Sequence, residues 1–485
     1  IVFGDWSSDV CSSDLPIVMV QVENEYGSYG ADKEYLRFIN NLLQEVGFEV
    51  PLYTCDGPSP DMLENGTIPE ILAMVNFGHN PQGSFESLSK FRQNIPHMCC
   101  EYYPGWFNHW GNRKLHSTSK VRMMQIAKDL EWMIQNNKSF NLYMFHGGTS
   151  FGFSSGANRS DNYKPDITSY DYSSPVTEDG LPNQQFHTYC ELIKILKKDQ
   201  ELPSVPAPIP KITIPVIQFS EVALLFENLP QPIKSPQIHA MEYFDQNYGL
   251  ILYRHDLFQS YGGRKLYLKE VHDYAHIYFD GIFMERYDRG NDPLAIWKWK
   301  VPKFESKRKQ LDILVEGHGR VNYGAYILDR KGITERVSVN DWNALMNWDI
   351  FPIPLDNIFH DTLKFTPIAL STKKAGPRFF KGKFSLEQIG DTFIDCRPWK
   401  KGYVWVNEHN LGRFWEIGPQ CSLFCPGSWL IKGENTILLF DMEGAATPKT
   451  FRKTYKNTQF GELLQKNPSL IEVPPVQGLE SMIRK

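Results

Sequence analysis

Two glutamates each follow a segment with the pattern of a buried strand. Glu25 comes after the apolar residues 17–22, and Glu101 closes the segment 97–101. Hydrolysis of a glycosidic bond needs two such groups, because one carboxylic acid protonates the leaving oxygen while a carboxylate stands across the sugar. The pair is 76 positions apart (101 − 25 = 76). At roughly 30 residues per βα unit this is two to three units, enough to bring both strand ends to one barrel mouth.

The glutamates lie in a region where strand-like and helix-like patterns alternate, which is typical of βα units over a parallel sheet. The strand candidates are residues 17–22, 51–55, 71–77, 97–101 and 140–145. The helix candidates are residues 33–46, 85–93, 119–135 and 186–198. We therefore expect residues 15–200 to form a catalytic α/β domain.

A complete (β/α)₈ TIM barrel has eight strands in about 250 residues. Residues 15–200 supply five candidate units, so we expect them to be the C-terminal part of such a barrel, with three units missing upstream. A five-stranded doubly wound sheet is the alternative, but no glycine-rich phosphate turn follows the first strand. Because open sheet edges favour aggregation, the chain is expected to be insoluble or inactive until the upstream portion is restored.

Residues 1–14 do not have the pattern of the beginning of a domain. They read Gly-Asp-Trp-Ser-Ser-Asp-Val-Cys-Ser-Ser-Asp at positions 4–14, and the chain starts with Ile1 in place of methionine. A signal peptide has a charged start and an apolar stretch, and this segment has neither. We interpret it as a non-native segment, similar to a translated sequencing adaptor, and exclude it from the fold prediction.

The second half of the chain has the pattern of β-rich domains. Residues 201–215 are rich in proline, which indicates a stiff linker. Short β-type runs follow at 248–253, 275–279, 311–315, 403–406 and 436–440. They predict an antiparallel β-sandwich over 216–350 and a jelly-roll β domain over 351–450, and residues 451–485 are a tail without an assigned fold.

Composition narrows the class of partner. A net charge of −5 over 485 residues provides no basic stripe for a phosphate backbone, so nucleic acid is not an expected partner. No run of about 18 apolar residues occurs, so no membrane span is predicted. The eight cysteines lack the spacing of a zinc site, and His109 and His146 have no third ligand nearby in sequence. No metal or cofactor is expected.

Several segments resemble glycoside hydrolase family 35, the β-galactosidase family. Residues 17–29, Ile-Val-Met-Val-Gln-Val-Glu-Asn-Glu-Tyr-Gly-Ser-Tyr, are similar to its acid/base signature. The resemblance implies that Glu25 is the acid/base and that Asn24 contacts the sugar. Residues 101–111 resemble the nucleophile segment, with Pro104 where a polar residue is more usual. Glu101 is thereby implied as the nucleophile.

The resemblance extends over residues 15–445. Residues 141–152 look like the last-strand segment, and Tyr143 and Tyr172 match tyrosines that contact galactose in the family. Residues 319–324, 402–407 and 410–415 resemble parts of its β domains. The family resemblance implies that the protein works in a secreted, periplasmic or lysosome-like compartment.

The function implied is hydrolysis of terminal non-reducing β-D-galactose from β-galactoside oligosaccharides or glycoconjugates, by a retaining double displacement. One alternative is another retaining β-glycosidase on the same barrel, since two glutamates specify hydrolysis better than they specify galactose. A second alternative is a non-catalytic carbohydrate-binding protein. A substrate panel and a galactose titration distinguish these three.

Some of these residues also have a structural interpretation. Glu23 at the start of a helical turn is at least as well explained by capping. Asn24 has the type of a turn residue, and strand tyrosines such as Tyr143 and Tyr172 are commonly core aromatics. Trp106 has two interpretations, stacking on a sugar face or packing under a loop.

Overall fold

The computed structural model describes residues 17–196, 202–214, 216–292, 294–356, 363–368 and 376–444. The chain divides into two compact units. Unit 1 takes in residues up to 106, 116–147 and 171–207, and unit 2 takes in 107–115, 148–170 and the residues from 208 onward. Residues 1–14 and 451–485, for which the sequence suggested a non-native segment and a tail, lie outside the described residues.

Unit 1 contains a five-stranded parallel sheet with its strands in sequence order. The strands are β1 (Val20–Gln21), β2 (Leu52–Asp56), β3 (Leu72–Phe77), β4 (Met98–Tyr102) and β5 (Ser139–Leu142). The helices are α1 (Lys33–Glu45), α2 (Pro60–Gly66), α3 (Pro81–Phe91), α4 (Lys120–Gln135) and α5 (Gln184–Leu196). The predicted alternation of strands and helices is confirmed.

Side-chain caps fix where these helices begin. Asp32 accepts hydrogen bonds from the backbone N–H groups of residues 34 and 35 at the start of α1. Ser59 and Ser119 accept in the same way at the starts of α2 and α4. Such caps satisfy backbone donors that have no partner inside the helix. Apolar residues of α2 to α5 pack against Val75 and Phe77 on one face of β3 and against β4. They include Leu63, Phe85, Leu88, Ile126 and Leu192.

Unit 2 is built from antiparallel sheets. One has six strands in the spatial order β13 (Ile282–Asp288), β12 (Tyr274–Phe279), β15 (Arg308–Glu316), β10 (Leu250–Phe258), β18 (Trp348–Ile353) and β9 (Ile233–Ser235). A second has the order β14 (Ile296–Lys300), β11 (Lys265–His272), β16 (Gly332–Val339) and β17 (Asn343–Ala344). Side chains of both sheets meet in one apolar core.

A further sheet of unit 2 has the order β19 (Thr366–Pro367), β8 (Phe219–Leu224), β20 (Arg378–Leu386), β25 (Gly433–Asp441), β22 (Lys401–Val406) and β23 (His409–Trp415). It shares a core with the pair β21 (Thr392–Asp395) and β24 (Ser422–Cys425). A small hairpin joins β6 (Ala157–Arg159) and β7 (Tyr163–Pro165). The prediction of an all-β second half is confirmed in outline.

The proline-rich segment that follows α5 has no regular secondary structure where it is described. Residues 203–210 are exposed and lie in neither helix nor strand. None of the helices within the described ranges combines the length and the apolar character needed to cross a membrane.

Candidate active site

Glu25 lies on a tight turn that directly follows β1. Its backbone has φ 51° and ψ 33°, and it caps a short 3₁₀ turn over Tyr26–Ser28. The N–H of Glu25 donates to the carbonyl of Cys55 (3.1 Å), and the N–H of Gly27 donates to Oδ1 of Asp56 (2.7 Å). A Cβ on Gly27 would stand 1.9 Å from the carbonyl oxygen of Met62, so only glycine lets this turn pack on α2.

Glu101 lies near the end of β4, beside the strand that carries a second polar residue. The register of β3 and β4 pairs Asn76 with Glu101. Asn76 Nδ2 donates to Glu25 Oε1 at 3.0 Å, so the side chain beside one glutamate binds the other. The two glutamates that the sequence singled out thus lie at the carboxyl ends of β1 and β4, in one site.

One tyrosine lies beside both carboxyl groups. The Tyr103 hydroxyl donates to Glu25 Oε1 at 3.0 Å, and its interaction with Glu101 affects the pKa of both groups. The negative charge of Glu25 also raises the pKa of Glu101, so the two carboxyl groups are close enough to interact.

The negative charges of Glu25 and Glu101 shift the pKa values of neighbouring groups in the site. Burial and the negative charge of Glu25 raise the pKa of Glu101 above its ordinary value, while the hydrogen bond from Tyr103 lowers it. Burial and both carboxylates raise the pKa of Tyr103 far above its usual range. Tyr103 therefore keeps its proton and acts as a donor throughout the working pH range.

Aromatic rings surround the carboxylates. The Tyr143 ring meets those of Tyr103 and Tyr172 edge to face, with centroids 6.5 Å and 5.8 Å apart. Trp106 lies 6.1 Å from Tyr172 and is about half exposed. A Cβ on Gly105 would stand 1.8 Å from the carbonyl oxygen of Tyr172, so glycine is needed where this segment passes Tyr172.

Three family models match successive parts of the chain. Residues 10–196 match the model for glycosyl hydrolases family 35. Residues 239–354 match the first all-β domain of β-galactosidase, and residues 377–435 match its galactose-binding domain.

Three relatives match most of the chain. A β-galactosidase of Xanthomonas manihotis is 40% identical over 422 residues, which cover 84% of this chain and 67% of that protein. This chain belongs to glycosyl hydrolase family 35. β-Galactosidase 17 of Arabidopsis thaliana is 35% identical, and the match covers 89% of this chain and 67% of that protein. A β-galactosidase of Mus musculus is also 35% identical, and the match covers 89% of this chain and 69% of that protein. The family resemblance inferred from the motifs is confirmed, and with it the assignment to the glycoside hydrolases.

Within this family 35 chain, the predicted sugar-binding residues have different surroundings. Tyr172 is buried and lies near both carboxylates, whose charges raise its pKa, and Tyr143 is partly buried against the Tyr172 ring. Asn24 is exposed, and its side-chain oxygen accepts a hydrogen bond from Gln21 Nε2 (2.9 Å). Glu23 accepts hydrogen bonds from the hydroxyl of Tyr35 and the N–H of Asn24, which agrees with a structural role. The sugar-binding roles stay predictions.

The sequence interpretation missed Asn76 and Tyr103 as members of the site. Tyr103 stands two positions after Glu101, and side chains two apart in an extended segment share a face. Asn76 is an amide inside the apolar strand β3 and is 3% exposed. A buried amide requires hydrogen-bond partners, so both residues had a usable signal.

The two histidines considered as metal ligands do not gather other ligands. His109 Nε2 lies 3.3 Å from Asp166 Oδ1, and His146 is exposed with its ring near the carbonyl of Glu178. Over the described part of the chain, no group of three His, Cys, Asp or Glu side chains has the arrangement of a metal site.

Proposed function

We propose that this chain carries the catalytic residues for hydrolysis of terminal β-D-galactose residues of β-galactosides with retention of configuration, with Glu101 as nucleophile and Glu25 as acid/base. The observation that carries the proposal is that both glutamates lie in one site: Asn76, the register partner of Glu101, donates to Glu25 Oε1 at 3.0 Å, and the charge of Glu25 raises the pKa of Glu101. A retaining glycosidase needs two carboxyl groups that flank one glycosidic bond, about 5–5.5 Å apart.

The reaction then proceeds in two displacements. In the first, a carboxylate oxygen of Glu101 forms a bond to the anomeric carbon, the glycosidic C–O bond breaks, and Glu25 gives its proton to the departing oxygen. In the second, Glu25 takes a proton from water, the water oxygen bonds to the anomeric carbon, and the ester bond to Glu101 breaks. Two inversions return the original configuration, and both glutamates regain their starting states.

The surrounding residues have proposed roles in binding. Tyr143 and Tyr172 form an aromatic wall beside the reacting pair, a surface suited to the apolar face and hydroxyls of a sugar. Asn24 would exchange its hydrogen bond with Gln21 for one to a sugar hydroxyl. Such a hydrogen bond strengthens in the transition state when it is made to the 2-hydroxyl.

The fold proposed for the site is part of a (β/α)₈ barrel. Both glutamates stand at the carboxyl ends of parallel strands, the end at which such barrels place their active sites. For the β regions, we propose a sandwich over 216–350 and a jelly roll over 351–450, joined to the catalytic domain at 15–200 by the linker 201–215.

A panel of aryl glycosides, read together with product NMR, tests this function. We expect faster turnover of the β-galactoside than of the β-glucoside, β-mannoside or β-xyloside, with β-galactose as the first product. Preference for another sugar would favour a different retaining glycosidase. Heat released on titration with galactose, without turnover of any substrate, would favour a non-catalytic binding protein. α-Galactose as the first product would exclude the double displacement.

A further inference from the structure

Two buried polar side chains below the site are not used by the proposed chemistry. Asn76 in β3 and Cys55 in β2 are 3% and 1% exposed. The Cys55 thiol donates to Asn76 Oδ1 at 2.8 Å, and Asn76 Nδ2 donates to Glu25 Oε1 at 3.0 Å. The carbonyl of Cys55 also accepts the backbone N–H of Glu25 at 3.1 Å. These three bonds link the backbone and the side chain of Glu25 through two neighbouring strands.

We propose that Cys55 and Asn76 form a positioning relay, in which the thiol orients the amide and the amide holds the Glu25 carboxyl group in place for proton transfer. The inference rests on the proposed role of Glu25 as acid/base. Neither relay residue touches the substrate in this account, so both are positioning residues.

The chemistry of an amide explains why the thiol matters. One end of the Asn76 side chain is an acceptor and the other is a donor, so rotation by half a turn would present an oxygen to the Glu25 carboxylate. The Cys55 thiol prevents that rotation, because it donates to the amide oxygen and so keeps that oxygen on the side away from Glu25. Burial raises the pKa of the Cys55 thiol well above its usual value, so it remains an S–H donor.

The relay also decides which oxygen of Glu25 exchanges the proton. Asn76 and Tyr103 both donate to Oε1. Among the described residues, no hydrogen bond reaches Oε2. Donors on Oε1 hold the carboxyl plane, and Oε2 is the oxygen that carries the transferred proton. A general acid works only when it is held within hydrogen-bond reach of the leaving oxygen.

The test is the dependence of rate on the leaving group. Dinitrophenolate departs without a proton, whereas a phenolate or a sugar alkoxide needs one, so a misplaced acid selectively slows the poorer leaving groups. Cys55→Ala should lower kcat/KM for phenyl β-galactoside by about tenfold or more, and for dinitrophenyl β-galactoside by less than about threefold. Asn76→Ala, which breaks the relay at its other end, should show the same selective loss.

Two variants separate positioning from packing. Cys55→Ser keeps a donor and should return the ratio of the two rates to within about twofold of the unmodified chain. Cys99→Ala removes an equally buried thiol from β4 whose sulfur faces the carbonyl of Phe77 at 3.9 Å, and it should leave the ratio unchanged. Equal losses on both substrates, or the same ratio in Cys55→Ala and Cys99→Ala, would overturn the relay.

A second readout needs no turnover. In the chain labelled with ¹⁵N-asparagine, the side-chain amide protons of Asn76 should exchange slowly with solvent, and faster in Cys55→Ala but not in Cys55→Ser. Unchanged exchange in Cys55→Ala would overturn the relay. Absence of galactoside hydrolysis by the unmodified chain, with this pattern intact, would count against the proposed function alone.

Discussion

A tyrosine hydroxyl between two carboxylates stabilises their charged forms only while it keeps its own proton. Tyr103 meets this condition because burial and both glutamates raise its pKa. The negative charge of Glu25 raises the pKa of Glu101, and the hydrogen bond from Tyr103 opposes that rise. At the level of single residues, Tyr103 therefore lowers the pH at which Glu101 becomes ionised beside Glu25.

Replacing Tyr103 with phenylalanine should shift the acidic limb of the rate profile. The hydrogen bond from Tyr103 lowers the pKa of Glu101, so its loss raises that pKa and the nucleophile becomes ionised only at higher pH. We expect the acidic limb of kcat/KM to move upward by roughly one pH unit. The measurement is kcat/KM for dinitrophenyl β-galactoside across the pH range.

Tyr102→Phe is the matched control for this shift. The Tyr102 hydroxyl donates to Asp129 Oδ2 at 2.6 Å and is buried on the helix-facing side of β4. Its loss removes a buried hydrogen bond from the same strand without touching the pair. An equal shift of the acidic limb in both variants would contradict the role given to Tyr103.

At the scale of elements, the turn that carries Glu25 depends on a carboxylate from the next strand. Asp56, the last residue of β2, accepts the N–H of Gly27 at 2.7 Å. Burial raises its pKa to about 6, although the hydrogen bond from Gly27 lowers it. The folded chain therefore binds a proton at Asp56 at pH values where the unfolded chain does not.

The stability of the turn should accordingly fall as pH rises. For a carboxyl group with a raised folded pKa, the stabilisation is complete below the unfolded value of about 4 and is lost as pH rises through about 6. Asp56→Asn keeps the acceptor but cannot ionise, so it should gain stability relative to the unmodified chain by up to about 3 kcal/mol between pH 4 and pH 8. The measurement is the melting temperature of the unmodified chain and of Asp56→Asn at several pH values across this range.

Asp61→Asn serves as the comparison, since this residue is exposed in α2 close to the same turn. Exposed substitutions of this kind change stability by about 0.5 kcal/mol or less. A parallel pH dependence of the unmodified chain and Asp56→Asn would show that Asp56 does not carry the effect.

The accuracy of the predicted bounds differs between the strands and helices of unit 1. The central strands β2 to β4 came within one residue of their predicted bounds, because strands buried between neighbours are continuous apolar runs. β1 is shorter than the run 17–22 that predicted it, because it pairs with β2 alone in the described sheet and Val18 is exposed. Helix α2 was missed, since seven residues are too few for a helical period, although Ser59 and Pro60 form a start signal.

Side-chain contacts of the site were harder to predict than its carboxylates. The glutamates have motif neighbours, whereas the bond from Asn76 to Glu25 joins residues 51 positions apart. It depends on the registers of β1 against β2 and of β2 against β3, which the sequence does not specify at the level of one residue. The orientation of Asn24 toward Gln21 depends on the same kind of local geometry.

At the scale of the whole molecule, unit 2 contains a buried ionic cluster that no sequence pattern indicated. Lys331 Nζ lies 2.7 Å from carboxylate oxygens of both Asp273 and Asp329, and Arg289 lies 2.7 Å from both residues. Although burial opposes it, Lys331 and Arg289 hold the pKa of Asp273 below its ordinary value. Asp329 and Lys331 are two positions apart, whereas Asp273 and Arg289 lie 58 and 40 positions from their partners in that pair, so the fold has to bring the cluster together.

Removing one cation should destabilise this unit strongly. Lys331→Met keeps the volume but leaves two buried carboxylates to share the charge of Arg289, which costs about 3–5 kcal/mol of unfolding free energy. Lys383→Met breaks an exposed pair with Glu434, of the same 2.7 Å length, and should leave the unfolding midpoint nearly unchanged. Urea unfolding of both variants makes the comparison, and equal midpoints would contradict the importance of burial.

Glu101 should be the residue to which galactose becomes covalently bound. A fluorinated galactoside with a good leaving group slows the second displacement more than the first, so the intermediate accumulates and the labelled peptide is identified by mass spectrometry. We expect a single label on Glu101, absent in Glu101→Gln, with release on addition of an acceptor. A label on Glu25 or another residue, or turnover with an inverted first product, would contradict it.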